Sequence, residues 1–213
     1  VARTPSDDPD GWRDYLDGAE ARYRQHGISS VLDRRSLEPG RTVSLFWTAR
    51  RPDGAVVGGI RCHGPLRRGA DAHALVELAG HRELARVSDE IDLRCVVGVV
   101  EMKGAWLARD LGVDGASDAL ARCCVHSMEW FDARFALCTS STHAAARWAS
   151  TGCRPMEGID AVHYPDERYL TVVMWWDRHL VAELATADQR AHLAVGARQL
   201  RATSLAPARP GGR

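Results

Sequence analysis

Lysine is almost missing from this 213-residue chain: among its 28 Lys and Arg side chains, Lys103 is the only lysine. A GC-rich coding genome produces that bias, and it leaves function open, although guanidinium groups do suit bidentate contacts with phosphate and carboxylate. Net charge is absent as well, 28 basic side chains being balanced by 28 acidic ones. A global attraction to nucleic acid or to an anionic membrane surface is therefore not expected, and any charge-driven site must be local. The longest apolar run, "CVVGVVEM" at 95–102, is far too short to span a bilayer, and "VARTPSDDPDGW" lacks the basic-then-apolar pattern of a secretory leader. A cytoplasmic location is the expectation that follows.

Metal-ligand spacing is also lacking. The six cysteines (Cys62, Cys95, Cys123, Cys124, Cys138, Cys153) form no C-x-x-C pair and mostly sit in apolar stretches, so buried free thiols in a reducing compartment are expected. The nine histidines include no H-E-x-x-H, no H-x-H and no cysteine partner at metal spacing, and no metal site is expected. Without G-x-S-x-G a hydrolase elbow is disfavoured, and without G-x-G-x-x-G so is a doubly wound dinucleotide fold.

What remains is an ordinary globular composition, 45% hydrophobic and 26% charged, long enough for one α/β domain. That domain is expected over 11–202, between flexible tails at 1–10 and 203–213 rich in Pro, Gly and charge. "WRDYLDGAEARYRQHGI" spaces Trp12, Tyr15, Leu16, Ala19 and Tyr23 as a helix that Gly27 stops. "RTVSLFWTARRPDGAVVGGIRCHGP" reads as two strands around a Pro-Asp-Gly turn, an antiparallel hairpin. "DAHALVELAGHRELARVSDEI" is helical in pattern, "LRCVVGVVEMKGAWLA" is the most strand-like run, and "VDGASDALARCCVHSMEWF" is an amphipathic helix. A short strand "RFALCTSS", a short helix "THAAARWASTG", a strand "RYLTVVMWWD" and a long amphipathic helix "HLVAELATADQRAHLAVGARQLRA" follow. The closing helix is suited to covering a sheet face or to a homodimer contact.

This order of elements, with "VVGGIRCHGP", the polar Gly turn after the strong strand, and "GCRP" before the last strand, resembles the Gcn5-related N-acetyltransferase superfamily over roughly residues 10–177. It looks most like the branch of autoinducer (acyl-homoserine lactone) synthases and N-acyl amino acid synthases. The resemblance implies a GNAT-like mixed, mostly antiparallel central sheet flanked by helices. It also implies an N-acyltransferase that moves an acyl group from acyl-CoA, or from phosphopantetheine on an acyl carrier protein, to the amine of a small molecule or amino acid. No nucleic acid and no metal take part.

In the family, the pyrophosphate turn reads Arg or Gln, two residues, Gly, one residue, Gly or Ala, before a helix whose free N–H groups and dipole favour anions. Here Arg109 and Gly112 fit, with Gly115 and Ala116 following, but Asp114 stands where a small residue belongs. The plainer reading is that Gly112 and Gly115 shape a strand-to-helix loop and Asp114 caps the helix. Backbone around Lys103, Gly104 and Ala105 is implied to bond the pantetheine and polarise the carbonyl, and Ser140 to contact its arm.

Acyl transfer to an amine needs a base and an oxyanion donor. Glu101 is the candidate base because a carboxylate in an apolar strand has its pKa raised, and an ion pair with Lys103 is its alternative. His143 is a second candidate base or a helix cap, and Tyr164 (or Tyr169) a candidate acid for the leaving thiolate or a packed tyrosine. Arg61 is placed to clamp an acceptor carboxylate, or else lies on the surface of the hairpin. A ligand-binding module without catalysis, and other thioester chemistry on the same fold, remain alternatives.

Overall fold

The structure, a computed structural model, describes residues 1–109 and 115–204. Its centre is an eight-stranded sheet in the order β1-β2-β3-β4-β5-β8-β6, with β7 also on β8. The strands are β1 (Ala2–Arg3), β2 (Leu45–Arg50), β3 (Val56–His63), β4 (Val99–Leu107), β5 (Phe135–Ser141), β6 (Arg154–Pro155), β7 (Val162–His163) and β8 (Leu170–Asp177). All pairings are antiparallel except β4 with β5. Parallel neighbours need a crossover, supplied here by helix α5 (Ala116–Trp130). The mixed, mostly antiparallel sheet with flanking helices expected from the sequence is present.

Helix α1 (Pro9–Gln25) begins where Asp8 accepts a hydrogen bond from Gly11 N at 2.8 Å and Pro9 occupies the first turn, where its missing N–H costs nothing. Trp12, Tyr15, Leu16 and Ala19 form its buried stripe and pack on Phe46 and Trp106. Residues 1–10 are therefore not the expected tail. Ala2 and Arg3 pair with Trp47 and Phe46 as an edge strand, and the Pro- and Asp-rich stretch that follows makes a helix cap. Beyond residue 204 the expected C-terminal tail lies outside the described residues.

The hairpin of β2 and β3 turns at Gly54, whose φ of +91° suits glycine. After a short α2 (Arg34–Leu37) in the earlier connection, the segment expected as one helix splits into α3 (Ala74–Glu77) and α4 (Leu84–Cys95), since Gly80 takes φ +81° between them. Leu93–Cys95, expected in the strand, finish α4 instead, and Gly98 at φ +85° starts β4. Helix α6 (Thr142–Ala149) follows β5 directly. The long closing helix is likewise two pieces, α7 (Val181–Leu184) and α8 (Ala187–Ser204), because Ala185 is extended and Thr186 Oγ1 accepts from Gln189 N. Helices α5 and α8 cover one part of the sheet around Met128, Trp176 and Cys124, while α3 and α4 enclose Val87, Ile91, Val99 and Leu137 elsewhere. All six cysteines are free thiols, as expected.

Candidate functional site

β4 and β5 pair only at Val99↔Phe135, Val100↔Ala136 and Glu101↔Leu137. Past that point the two strands part, so the edge of β4 that faces β5 has no ladder partner. A cleft of about 570 Å³ opens there, walled by Met102–Ala105 on one side and Cys138–Ser141 on the other.

A bulge shapes the β4 wall. Gly59 faces Trp106 and Arg61 faces Lys103, so Gly104 and Ala105 together oppose Ile60 alone. Gly104 takes φ +65°, and a Cβ there would stand 2.1 Å from Arg61 Nη1 and 2.6 Å from the Tyr15 hydroxyl. That hydroxyl donates to Gly104 O at 2.7 Å and ties α1 to the bulge. Both backbone and space demand glycine. Gly104→Ala is expected to cost about 2–3 kcal/mol, read as a lower midpoint of urea unfolding at unchanged slope. A midpoint equal to wild type would show that the bulge relaxes freely.

The single lysine sits in this wall. Lys103, buried, donates from Nζ to Glu77 and to Thr139 Oγ1, the latter at 2.8 Å. Glu77 is the only carboxylate among the described residues lining the cleft. Burial alone raises its pKa, but the charge of Lys103 and the hydrogen-bonding groups of His73, Lys103 and Thr139 outweigh burial and hold it at about 2. His73 Nδ1 lies 3.4 Å from Glu77 Oε1.

Glu101 has a different place from the one expected. It is fully buried, its two oxygens accept from His73 N (2.8 Å) and Ala74 N (2.7 Å), and it does not line the cleft. It caps α3, and its expected ion pair with Lys103 is replaced by the Lys103–Glu77 pair. The spacing explains why: two residues along a strand advance about 6.6 Å, close to the ~6 Å length of a four-residue helix. The start of α3 therefore stands over Glu101 and its end over Lys103.

Arg61 is neither on the surface nor in the cleft. It is 4% exposed behind Gly104, and its Nε donates to His63 Nε2 at 3.1 Å. Burial, then the charges of Arg61, Lys103 and His73, push His63 down to about 3, so the ring is neutral and able to accept that bond.

Of the other expected residues, Lys103, Gly104, Ala105, Arg109, Ser140, His143 and Tyr164 line the cleft. Ser140 Oγ is taken up by Trp148 Nε1 (2.8 Å), and the exposed His143 contacts Ser141 Oγ at 3.2 Å. Burial, then the charge of Glu77, pushes Tyr164 up to about 12 and keeps its hydroxyl protonated. Gly115 is the exposed, left-handed cap of α5 and Ala116 its first residue, and neither lines the cleft. Gly112 and Asp114 lie outside the described residues. Arg22, Arg109 and Arg147 give the cleft a basic rim, with His26 and His143 beside them. Sequence reasoning missed Glu77, Thr139 and Tyr23. A four-residue helix offers no periodic signal, and the acid nearest Lys103 in the sequence is Glu101 rather than Glu77.

No family model matches the chain. The protein named Uncharacterized protein Rv1356c from Mycobacterium tuberculosis is 40% identical over 201 residues, covering 94% of this chain and 76% of its own. Uncharacterized protein Mb1391c from Mycobacterium bovis matches to the same extent. Among solved structures, FeeM, an N-acyl amino acid synthase from uncultured soil microbes, superposes with TM-score 0.57 at 12% identity over 87% of this chain and 99% of its own. A phosphinothricin acetyltransferase of the GNAT superfamily from Sinorhizobium meliloti, solved with AcCoA, gives 0.52 at 15% identity over 83% and 87%. BjaI, a CoA-dependent acyl-homoserine lactone synthase solved with SAM and isopentyl-CoA, gives 0.51 at 17% over 92% and 87%.

Proposed function

We propose an acyltransferase activity for this chain, which belongs to one family with the two mycobacterial proteins and has the Gcn5-related N-acetyltransferase fold. The observation that carries the reading is the parting of β4 and β5 at a glycine bulge, with a polar cleft between them. Two of the superposed proteins are described with acyl-CoA bound. Acyl-CoA is accordingly the donor proposed here, with a carrier-borne phosphopantetheine thioester as the other source of the same chemistry.

In this proposal the donor's phosphates meet the basic rim and its pantetheine runs along the unpaired edge of β4. The acceptor enters as an ammonium drawn to Glu77. Glu77, held ionised by Lys103, orients that ammonium while its proton leaves through water to solvent, and the freed amine attacks the thioester carbonyl. The tetrahedral oxyanion faces the Lys103 ammonium and β4 backbone N–H groups, donors already fixed in place before the charge develops. The C–S bond then breaks, the thiolate takes a proton from the Tyr164 hydroxyl, and the nitrogen of the new amide gives up its second proton through water to restore that phenol. Glu101 acts at a distance by holding α3, and Arg61 by filling the space behind the bulge.

The test is a thermal-shift series with acetyl- to palmitoyl-CoA, followed by mass spectrometry of products with a panel of amines and amino acids. A donor that binds only the folded state raises the melting temperature by mass action, about 2.7 kcal/mol of stabilisation at a hundredfold excess over Kd. A shift with product formation is the expected result. A shift without product from any amine would favour a binding module, and no shift from any free or carrier-bound donor would remove the reading.

A further inference from the structure

The deep end of the cleft is closed by Ile60, Leu120, Cys124, Cys138, Trp148 and Trp176. The two indoles meet edge to face with centroids 6.1 Å apart. Each is also tethered: Trp148 Nε1 donates to Ser140 Oγ at 2.8 Å and Trp176 Nε1 to Thr151 Oγ1 at 2.9 Å. Those rings cannot swing aside without breaking buried hydrogen bonds. Cys124 is fully buried, so the cleft does not continue through it.

Leu120 is different. A second and larger space, about 960 Å³, lies between α5, α8 and the β1–β3 edge, lined mostly by apolar surface from Trp47, Val57, Cys123 and Leu200, with Arg3, Arg50 and Arg122 also in its wall. Leu120 is the one described residue that lines both cavities. Its side chain is 4% exposed, so it stands as a closed partition. That side chain has no hydrogen-bonding group, and only its packing holds it there.

We infer that Leu120 sets the length of acyl group the site accepts: the acyl chain ends against Leu120, and the second cavity is an unused extension of the same channel. This rests on the acyltransferase reading and goes beyond it by naming the donor class as short-chain acyl thioesters. A methylene that finds apolar room adds about 0.8 kcal/mol, close to fourfold in affinity, whereas one that meets a packed wall must displace it. Affinity should therefore rise over the first few carbons and then fall.

The experiment is calorimetric titration of the full chain with acetyl-, butyryl-, octanoyl- and decanoyl-CoA, for wild type, Leu120→Ala and Leu120→Val. Binding needs no knowledge of the acceptor. For wild type, decanoyl-CoA is expected to bind at least ~10-fold more weakly than butyryl-CoA, since several methylenes would have no room. In Leu120→Ala the decanoyl-to-butyryl affinity ratio is expected to rise at least ~10-fold as the cavities join, with a smaller rise in the valine variant. Truncating a buried leucine is destabilising, and the milder valine change keeps the test usable if the alanine protein does not fold.

The outcomes separate the two claims. Wild type that binds decanoyl-CoA as tightly as butyryl-CoA, or a length preference unmoved in both variants, overturns the role of Leu120 and leaves the acyltransferase reading standing. No binding of any acyl-CoA, nor of the same acyl groups on a carrier protein, by the folded wild-type protein removes both.

Discussion

Replacing Glu101 by alanine is expected to destabilise the protein by about 4 kcal/mol, among the largest effects of any single side chain outside the aromatic core. The carboxylate is fully buried and its two oxygens accept the N–H groups of His73 and Ala74 at 2.8 and 2.7 Å. Alanine leaves both donors without a partner, each costing roughly 1–3 kcal/mol, and adds a cavity. Glu101→Gln keeps the volume and one acceptor but turns an NH₂ group toward a backbone donor, and about 2 kcal/mol is expected. Urea unfolding measures both. Hydrogen exchange supplies a second readout: the amides of Ala74–Glu77 should lose protection before the rest of the fold. A loss below ~1 kcal/mol in the alanine variant would mean that water satisfies those donors and that α3 holds itself. The consequence for the cleft is indirect, since α3 carries Glu77 to Lys103 and a loosened helix lets go of that pair.

The second large effect is a two-part loss of stability in acid. His63 is held at about 3, below its ordinary 6.5. The unfolded chain therefore binds a proton that the folded chain refuses, and stability present above about pH 6.5 drains away as pH falls toward 3. Glu77 is held at about 2, below its ordinary 4.5. Its contribution is complete above about pH 4.5 and is lost as pH falls through the folded value. Each amounts to about 3 kcal/mol, with His63 discounted for the part of the ring that solvent reaches. The basic groups facing them are Arg61, Lys103 and His73. Unfolding free energy measured from pH 8 to 3 should decline in both segments for wild type. His63→Gln, which retains an acceptor for Arg61, should flatten the segment above pH 4.5, and Glu77→Gln the segment below it. Variant curves that run parallel to wild type across the whole range would assign the acid loss to other groups.

Much of the architecture was legible because it rests on local rules. The β2–β3 hairpin is written in Pro52-Asp53-Gly54 between alternating apolar runs, and α1 in the buried stripe of Trp12, Tyr15, Leu16 and Ala19. The resemblance implied that backbone around Lys103, Gly104 and Ala105 bonds a pantetheine, and those residues stand in the wall of the cleft. Glu101 and Arg61 were harder. Strand alternation says which face a side chain takes but not what covers that face, and here α3 covers Glu101 while α1 and the bulge cover Arg61. Glu77 left almost no trace, because four residues of helix are too short to show a period.

The sequence by itself determined the longer elements and their order, and the polar character of the strand ends after Met102 and Cys138. Those follow from backbone preferences and from the period of apolar residues, which act over a few positions. Only the tertiary structure decided which charges meet. Lys103 pairs with Glu77 across 26 positions and Glu101 caps a helix that starts 27 positions before it. It also decided that one side chain, Leu120, divides two cavities. Such contacts are set by how layers stack on the sheet. Stacking depends on the sum of many weak packing terms along the whole chain, and no short stretch of residues records it.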